Sequence, residues 1–168
     1  LDTSFVVPQT PVQVAGFVRP FGEAPPDFEG RTVVDVAVAR ALLGVGWGPQ
    51  GTAAPFLRID PAGLVIDLAN PELGERHHIR IGDQLIDLLS LPASPLIVGV
   101  EQGPRRYAIL QGHRVQVFRD FARFSEALSR LLDGAARMHA LYARGAYATA
   151  SNTVQAREIA VHLSQPGS

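Results

Sequence analysis

The residues of this chain best suited to metal chemistry are histidines, and two of them are adjacent. His77 and His78 lie close to Glu72 and Glu75, which makes this the one cluster of potential metal ligands in the sequence. Neighbouring residues of a β-strand point to opposite faces, so two adjacent imidazole rings on a strand do not readily share an ion. The spacings H-E-x-x-H and H-x-H do not occur. We therefore expect no metal site; the alternative is a loop that brings the two rings together, joined by His113, His139 or His162 from elsewhere in the chain.

A glycine-rich segment has the spacing of a phosphate-binding loop. Gly46-Trp-Gly-Pro-Gln-Gly51 fits G-x-G-x-x-G, and residues 41–45 before it have the composition of a strand. Such a loop needs a helix N-terminus directly after the glycines, because the free backbone N–H groups of the helix bind the anion. Here Thr52-Ala-Ala-Pro55 follows and leads into another strand-like run. The segment is predicted to be a structural turn, and we expect no cofactor.

Serine nucleophiles and paired carboxylates are the remaining candidates for catalysis. The chain offers several serines, but none of the following stands in a G-x-S-x-G elbow: Ser90, Ser94, Ser125, Ser129 and Ser151. The pairs Glu23 with Asp27 and Asp83 with Asp87 have the spacing of turn and strand-surface residues. The chain has no cysteine, which excludes thiolate catalysis and disulfides. No catalytic residue is predicted, and a hydrolase whose residues converge only in three dimensions stays an alternative.

Aromatic and basic side chains mark one candidate binding surface. Arg105, Arg106 and Tyr107 are adjacent, and Trp47 is the single tryptophan of the chain. Single-stranded nucleic acid binds to aromatic side chains beside a basic groove. The 15 basic residues, all of them arginine, are balanced by 16 acidic ones, so the overall charge gives no reason to expect a nucleic acid as partner.

Short alternating runs between glycines and prolines predict a mainly β fold. Apolar residues make up 46% of the chain, as in a globular protein, and no apolar run approaches the roughly 18–20 residues of a membrane helix. Gly82-Asp83 separates two such runs and suits a hairpin turn, because glycine supplies a positive φ. Residues 21–28 form a turn-rich stretch with two prolines. The predicted strands are 12–19, 31–38, 56–60, 64–68, 78–81, 84–89, 96–100, 106–110, 114–118, 137–147 and 153–163.

Residues 120–133 have the period of an amphipathic helix. Phe121, Phe124 and Leu128 are spaced by three and four, and polar residues occupy the other arc. Asp120 stands at the N-cap position, and Gly134 stands where a left-handed residue ends many helices. The segment contains no β-branched residue. It is the one helix that we predict.

Residues 12–33 and 138–159 have similar patterns. Each runs through a strand, an aromatic residue, a polar turn, an apolar residue, a small residue, an arginine and an aliphatic residue. The matched residues are Phe21 with Tyr147, Phe28 with Val154, Gly30 with Ala156 and Arg31 with Arg157. Either a duplication or two hairpins that obey similar rules would produce this pattern. Under a duplication, we expect residues 12–19 to pair with strands from elsewhere in residues 31–118, and the two hairpins to occupy equivalent places in two similar barrels.

The end of the chain resembles a known kind of module. Met138-His-Ala-Leu-Tyr-Ala-Arg-Gly145-Ala-Tyr147, followed by Ala156-Arg-Glu-Ile159-Ala-Val161, is similar to the closing hairpin of small OB-like β-barrel modules. These modules occur, often in tandem, in exported bacterial proteins of unknown function. The resemblance implies an OB-like barrel or barrel pair, with the 120–133 helix packed as a plug on one end. The inserted helix is a departure from the family, which has no known catalytic residues to carry over.

These observations lead to one expected function and two alternatives. We expect a single compact β-rich unit over residues 1–168, or two pseudo-repeated small barrels at about 1–95 and 96–168. The expected function is that of a non-catalytic structural or ligand-binding module of an exported bacterial protein, periplasmic or extracellular, with neighbouring modules of the same polypeptide as partners. The alternatives are an OB-like domain that binds oligonucleotides or oligosaccharides, and the hydrolase named above.

Overall fold

A computed structural model describes residues 12–18, 28–35, 38–74, 77–91, 93–100 and 105–165. Twelve strands and one α-helix, α1, lie in these ranges, so the prediction of a mainly β fold with one helix is confirmed. Two short 3-10 turns occupy Pro71–Leu73 and Leu88–Ser90. The elements are β1 Val12–Val18, β2 Phe28–Asp35, β3 Val38–Gly46, β4 Leu57–Asp60, β5 Gly63–Ile66, β6 His78–Ile81, β7 Gln84–Asp87, β8 Leu96–Val100, β9 Arg106–Gln111, β10 Arg114–Phe118, α1 Phe121–Asp133, β11 Met138–Ala148 and β12 Thr153–Leu163.

The chain divides into two compact units, Leu1–Val38 and Ala39–Ser168. In the first, β1 and β2 form an antiparallel two-stranded sheet with a β-bulge between Ala15 and Gly16. Within the described ranges β1 has no further strand beside it. Of the strands in residues 31–118, β2 alone pairs with β1 in the described ranges, so the expected pairing with strands from elsewhere, and the equivalent places of the two hairpins in two barrels, are not found there. Residues 21–27 of the predicted turn-rich stretch lie outside the described residues.

The second unit contains a ten-stranded mixed sheet in which β12 has the central place. One edge of β12 pairs with β11 in antiparallel fashion. Its other edge pairs with two parallel strands in succession, β8 along Thr153–Ala156 and β9 along Glu158–Leu163. The order is β4-β5-β8-β12-β11-β3-β6-β7, and β10 pairs with β9.

The sheet is open, so the predicted OB-like barrel or barrel pair is not confirmed. In the described part of the chain, β4 and β7 end the strand order and do not pair with each other. The alternation that predicted the strands shows which residues share a face, but it does not show which strands become neighbours. The long β12 accommodates two parallel partners along one edge, and no local sequence pattern indicates this.

A β-bulge near the middle of the β11–β12 hairpin changes the face that β12 presents. Arg144 pairs with Glu158 and Gly145 pairs with Ala156, so Arg157 is an extra residue on β12. The buried residues of β12 nearest the bulge are Val154 and Ala156 on one side, and Ile159 and Val161 on the other. The bulge keeps all four in the core although their spacing is not uniform.

Gly145 permits this bulge because the backbones approach closely there. A Cβ atom at Gly145 would lie 1.8 Å from the carbonyl oxygen of Gln155, far inside van der Waals contact. Only glycine, which has no Cβ, fits at this position without a backbone shift.

The β1–β2 and β11–β12 hairpins have the same pairing register and the same bulge position. In each, a glycine pairs across from a small residue next to the bulge, and the extra residue is an arginine, Arg31 or Arg157. Val18, rather than Phe21, is the counterpart of Tyr147, because the connection after β1 is longer than the one after β11. The equivalent pairs are Val12↔Asp35 with Leu141↔Val161, Gln13↔Val34 with Tyr142↔Ala160, Val14↔Val33 with Ala143↔Ile159, Ala15↔Thr32 with Arg144↔Glu158, Gly16↔Gly30 with Gly145↔Ala156, Phe17↔Glu29 with Ala146↔Gln155, and Val18↔Phe28 with Tyr147↔Val154.

The turn between β11 and β12 is attached to the segment before β8 by Asn152. Its side-chain nitrogen donates to the carbonyl oxygens of Ala93 (2.6 Å) and Pro95 (2.9 Å). Its side-chain oxygen accepts from the Tyr147 hydroxyl. Asn152 is 3% exposed, and these bonds satisfy the polar atoms that its burial removes from water.

Helix α1 packs its apolar face against β9, β10 and β4. Phe121, Phe124 and Leu128 are buried, as predicted. Phe124 contacts the rings of Tyr107 and Phe118, with centroids 5.4 Å and 6.1 Å away. Such tilted and edge-on aromatic pairs add stability beyond the area that they bury.

The ends of α1 match the predicted bounds. The residue that adopts the left-handed conformation after the helix is Ala135, and not Gly134 as predicted. The Asp120 carboxylate accepts a 2.8 Å hydrogen bond from the Ala122 amide, as an N-cap residue should. Gly134 has φ −79°, and Ala135 has φ 68°. The Ala135 and Ala136 amides donate to the carbonyls of Leu132 and Leu131, which is the Schellman pattern with alanine in place of the usual glycine.

Truncation of the buried face of α1 should cost far more stability than truncation of its exposed face. Leu128 is 0% exposed, so Leu128→Ala should lower the free energy of unfolding by about 2–5 kcal/mol. Arg123 is exposed, and Arg123→Ala should cost well under about 1 kcal/mol. Urea melts of the two variants measure both values. Equal losses would show that the buried face is wrongly assigned.

The close approach at Gly145 predicts a large effect of one methyl group. Gly145→Ala should lower the free energy of unfolding by more than about 2 kcal/mol, because the backbone of β12 must move. Gly44→Ala is the matched control, since a Cβ there would meet the Tyr142 ring at an ordinary 3.6 Å. Its expected effect is a slight gain in stability. Thermal melts of both variants test this, and a Gly145→Ala protein as stable as the wild type would contradict it.

Candidate functional site

The surface of β12, β11, β3 and β6 that faces away from the core is here called the outer face. Along β3 the buried residues Ala41, Leu43 and Val45 alternate with exposed ones. The exposed residues of β3 are Arg40, Leu42, Gly44 and Gly46. This alternation places one set in the core and leaves the other available to a ligand.

One end of the outer face holds a groove lined by four arginines. Its volume is about 570 Å³, within the range of small-ligand sites. We call it the arginine groove; its lining residues are Arg40, Ala41, Leu42, Arg80, Gly82, Arg144, Gly145, Ala146 and Arg157. None of these described lining residues is acidic, so the groove is positively charged in a chain whose net charge is −1.

Strand pairing holds two of the arginines on the β3–β6 side of the groove. Arg80 of β6 stands opposite Leu42 of β3. The Gly82 amide donates to the Arg40 carbonyl at 2.8 Å, which fixes the β6–β7 turn beside the start of β3. Both arginine side chains are exposed, so they can reach a ligand without displacing the core.

Arg144, on the β11 side, is held by a carboxylate that it shares with a second arginine. Glu158 accepts from Arg144 at 3.0 Å and from Arg106 at 3.4 Å. A single carboxylate between two guanidinium groups leaves one positive charge uncompensated. Both ion pairs are well exposed, so they position Arg144 more than they stabilise the fold.

The other end of the outer face has a second depression, of about 660 Å³. His139 and His162 lie there with their ring centroids 5.4 Å apart. His139 Nδ1 is 2.9 Å from the Gly48 carbonyl oxygen, and Tyr142 is 51% exposed beside it. Among the described residues no third metal-ligating side chain joins the two histidines.

Trp47, the first residue of the predicted binding surface, is a packing residue at the end of β3. Its ring stacks on Phe56 with centroids 5.1 Å apart. Its Nε1 donates to the Leu73 carbonyl oxygen at 2.9 Å, and His77 Nε2 lies 2.7 Å from the same oxygen. A carbonyl oxygen only accepts, so His77 carries a proton on Nε2.

The other three residues of that surface have different environments. Arg106 is exposed and binds Glu158, and Arg105 is half-buried. Tyr107 is 0% exposed and packs against Phe121 and Phe124 of α1. A buried ring offers no face on which a base could stack, so Tyr107 serves the core.

The two adjacent histidines have different environments at the start of β6. His77 is buried and bound to Leu73, whereas His78 begins β6 and is exposed. Glu72 is exposed in the first 3-10 turn, where its amide donates to Asn70; Glu75 lies outside the described residues. The geometry separates the two imidazoles, so they do not face a common point.

The glycine-rich segment Gly46–Gly51 forms a turn, as predicted. Gly48 and Gly51 have φ of 68° and 62°. The next residue, Thr52, bridges to Met138 of β11. The next element after the glycines is β4 and not a helix, so they present no helix N-terminus to a phosphate.

The carboxylate pairs have structural positions where they are described. Asp87 ends β7 and accepts from the Leu89 amide at 2.9 Å, and Asp83 is exposed in the β6–β7 turn. Glu23 and Asp27 lie outside the described residues. Within the same ranges, no helix combines the length and hydrophobicity required to cross a membrane.

The arginine groove is the site that the sequence did not predict. Arg80 is an exposed residue of a predicted strand, whereas Arg40 precedes residues 41–45, the part of β3 whose composition indicated a strand. Their proximity depends on the pairing of β3 with β6 and of β11 with β3, which the local pattern does not contain. Comparison of the chain with protein-family models, curated proteins and solved structures finds no match.

The two buried tyrosines should make the fold sensitive to alkaline pH. Burial raises the pKa of Tyr107, with a smaller opposing effect from the charge of Arg105, and burial raises the pKa of Tyr147. In the unfolded chain both phenols ionise near pH 10. Above that pH the unfolded state releases protons that the folded state retains, so the free energy of unfolding should fall as pH rises.

Urea melts at about pH 8 and about pH 11 measure this loss. Tyr107→Phe keeps the ring and removes one of the two ionisable groups. The variant should therefore lose less stability than the wild type between the two pH values. An equal loss in both proteins would contradict the role given to Tyr107.

Proposed function

We propose that residues 39–165 act as a non-catalytic structural module of an exported bacterial protein, next to similar modules of the same polypeptide. The observation that carries the proposal is the register that β1–β2 shares with β11–β12, including the bulge. On this interpretation, β1–β2 is the closing hairpin of a preceding module. Its missing neighbours would be strands like β8, β9 and β3.

The shared bulge is more specific than a shared hairpin pattern. Any two hairpins that bury one face show alternation, and a slip of one residue exchanges their faces. A bulge can occur at many positions along a pair of strands. Here both hairpins have it beside a glycine of the first strand and at an arginine of the second. The hairpins differ in loop length, so a common turn geometry does not account for the coincidence.

The residue types of the two hairpins agree at five of the seven positions that are buried in the second unit. Leu141, Ala143, Tyr147, Val154 and Ile159 fill these five positions in β11–β12, and their register equivalents in β1–β2 are Val12, Val14, Val18, Phe28 and Val33, all apolar. The other two positions differ, since Ala156 corresponds to Gly30 and Val161 corresponds to Asp35. The first hairpin is therefore apolar at most, but not all, of the positions that a core of this kind buries.

The OB-like resemblance and the periplasmic or extracellular location belong to this proposal. The two segments on which the resemblance depends pair with each other as β11 and β12, which supports a closing hairpin of that kind. A structural role requires no cofactor and no catalytic residue.

A fusion tests the proposal directly. A second copy of residues 39–140 is placed immediately before Val12, so that Val12 follows Ala140 as Leu141 does in the chain. If β1–β2 can close that copy, its backbone amides become part of a cooperative core. Hydrogen exchange of residues 12–35 should then slow by at least about 100-fold relative to the unfused chain.

The matched control is the same fusion with Gly16→Val. Gly16 is the counterpart of Gly145, where a Cβ would collide with the opposite strand, so this fusion should gain little protection. Equal exchange rates for residues 12–35 with and without the added copy would refute the proposal. Equal protection in the Gly16→Val fusion would refute the equivalence of the two bulges.

A further inference from the structure

We propose that the arginine groove binds a small anion with at least two oxyanion charges, carried on phosphoryl or carboxylate groups. The inference is independent of the proposed function, because it depends on the outer face of the second unit alone. It assigns a ligand site to residues that the fold does not need for its core, since Arg40, Arg80, Arg144 and Arg157 are all exposed.

The four arginines that line the groove come from four different strands. Arg40 is on β3 and Arg80 on β6, whereas Arg144 and Arg157 come from the bulged region of the β11–β12 hairpin. Guanidinium groups offer planar, paired N–H donors that match the oxygens of carboxylates and phosphates. Convergence of such groups from separate strands suits an anion with several oxygens better than one with a single charge.

The charge distribution favours binding over simple solvation. Four arginines together repel one another, and this repulsion is relieved when an anion enters. Arg144 pairs with Glu158, and this carboxylate is shared with Arg106. In the described structure no ion pair is formed by Arg40 or Arg80. These two guanidinium groups are thus available to a ligand.

The floor of the groove adds backbone and a small apolar surface. Gly82 and Gly145 line it without side chains, so an anion can approach the backbone closely. Leu42 is 47% exposed and lies between the β6 and β11 sides. A ligand with a short carbon skeleton as well as oxyanion groups would use both surfaces.

The extent of the charge favours a small anion over a nucleic acid. Beyond the groove, the outer face continues through Gly44 and Tyr142 towards His139 and His162. A single strand of nucleic acid needs a basic track along its backbone with aromatic rings beside it. Here the four arginines are confined to one end, and the exposed ring of Tyr142 lines the other depression.

Isothermal titration calorimetry with inorganic pyrophosphate and with citrate tests the proposal on the full chain. At least one of them should bind saturably, and the affinity should fall as salt is added. The anion that binds more tightly shows whether the groove prefers phosphoryl or carboxylate groups. Arg40→Gln and Arg80→Gln should each weaken that binding about tenfold, as loss of a charge-assisted contact does.

Arg123→Gln is the control, because Arg123 is an exposed arginine of α1 outside the groove. It removes the same charge and should leave the affinity within about twofold of the wild type. The melting temperature of each variant checks that all three fold. No saturable binding of either anion would overturn the proposal, as would an equal loss in Arg123→Gln. Tighter binding of a thymidine oligonucleotide than of both anions would overturn the assignment of a small ligand.

Discussion

Strand β12 is the element on which the second unit depends, because it is paired along both of its edges. It joins β11 and the strands beyond it to two separate groups, β4-β5-β8 and β9-β10. Without β12, the described sheet would fall into three pieces. The bulge at Arg157 allows one long strand to join these groups, since it keeps apolar residues in the core on both sides of the irregularity. The glycine opposite, Gly145, is a consequence of that constraint.

The sequence predicted much of the local structure, since strand and helix patterns are local. The bounds of β6, β8, β10 and β12 match the predicted runs, and α1 begins and ends where its caps indicate. The neighbours of β12 were not predictable, because parallel pairing depends on residues far apart in the chain. The residue that adopts the left-handed conformation after α1 was also wrongly predicted. Glycine is the usual residue there, but in this structure Ala135 adopts the conformation.

The candidate site was less predictable than the fold. The sequence predicted no site role for His77-His78 or for the glycines, and it indicated Trp47 with residues 105–107 as the candidate surface. In the structure Trp47 and Tyr107 pack in the interior, and Arg106 is a surface residue. The arginine groove forms from residues that are spread along the chain and form no motif. The small net charge of the chain therefore conceals a local excess of positive charge in the groove. Strand register decides which charges become neighbours, and register is the quantity that alternation alone leaves undetermined.

The environment of Trp47 also makes the protein convenient to follow by fluorescence. The chain has a single indole, and it is stacked on Phe56, close to the His77 ring, and bonded to Leu73. Any opening at the end of β3 would expose this ring to water and alter both the wavelength and the intensity of its emission. A rearrangement of the aromatic residues near α1 would leave the emission of Trp47 unchanged as long as the end of β3 stays closed. Emission from Trp47 thus reports on one corner of the sheet, and circular dichroism reports on the whole.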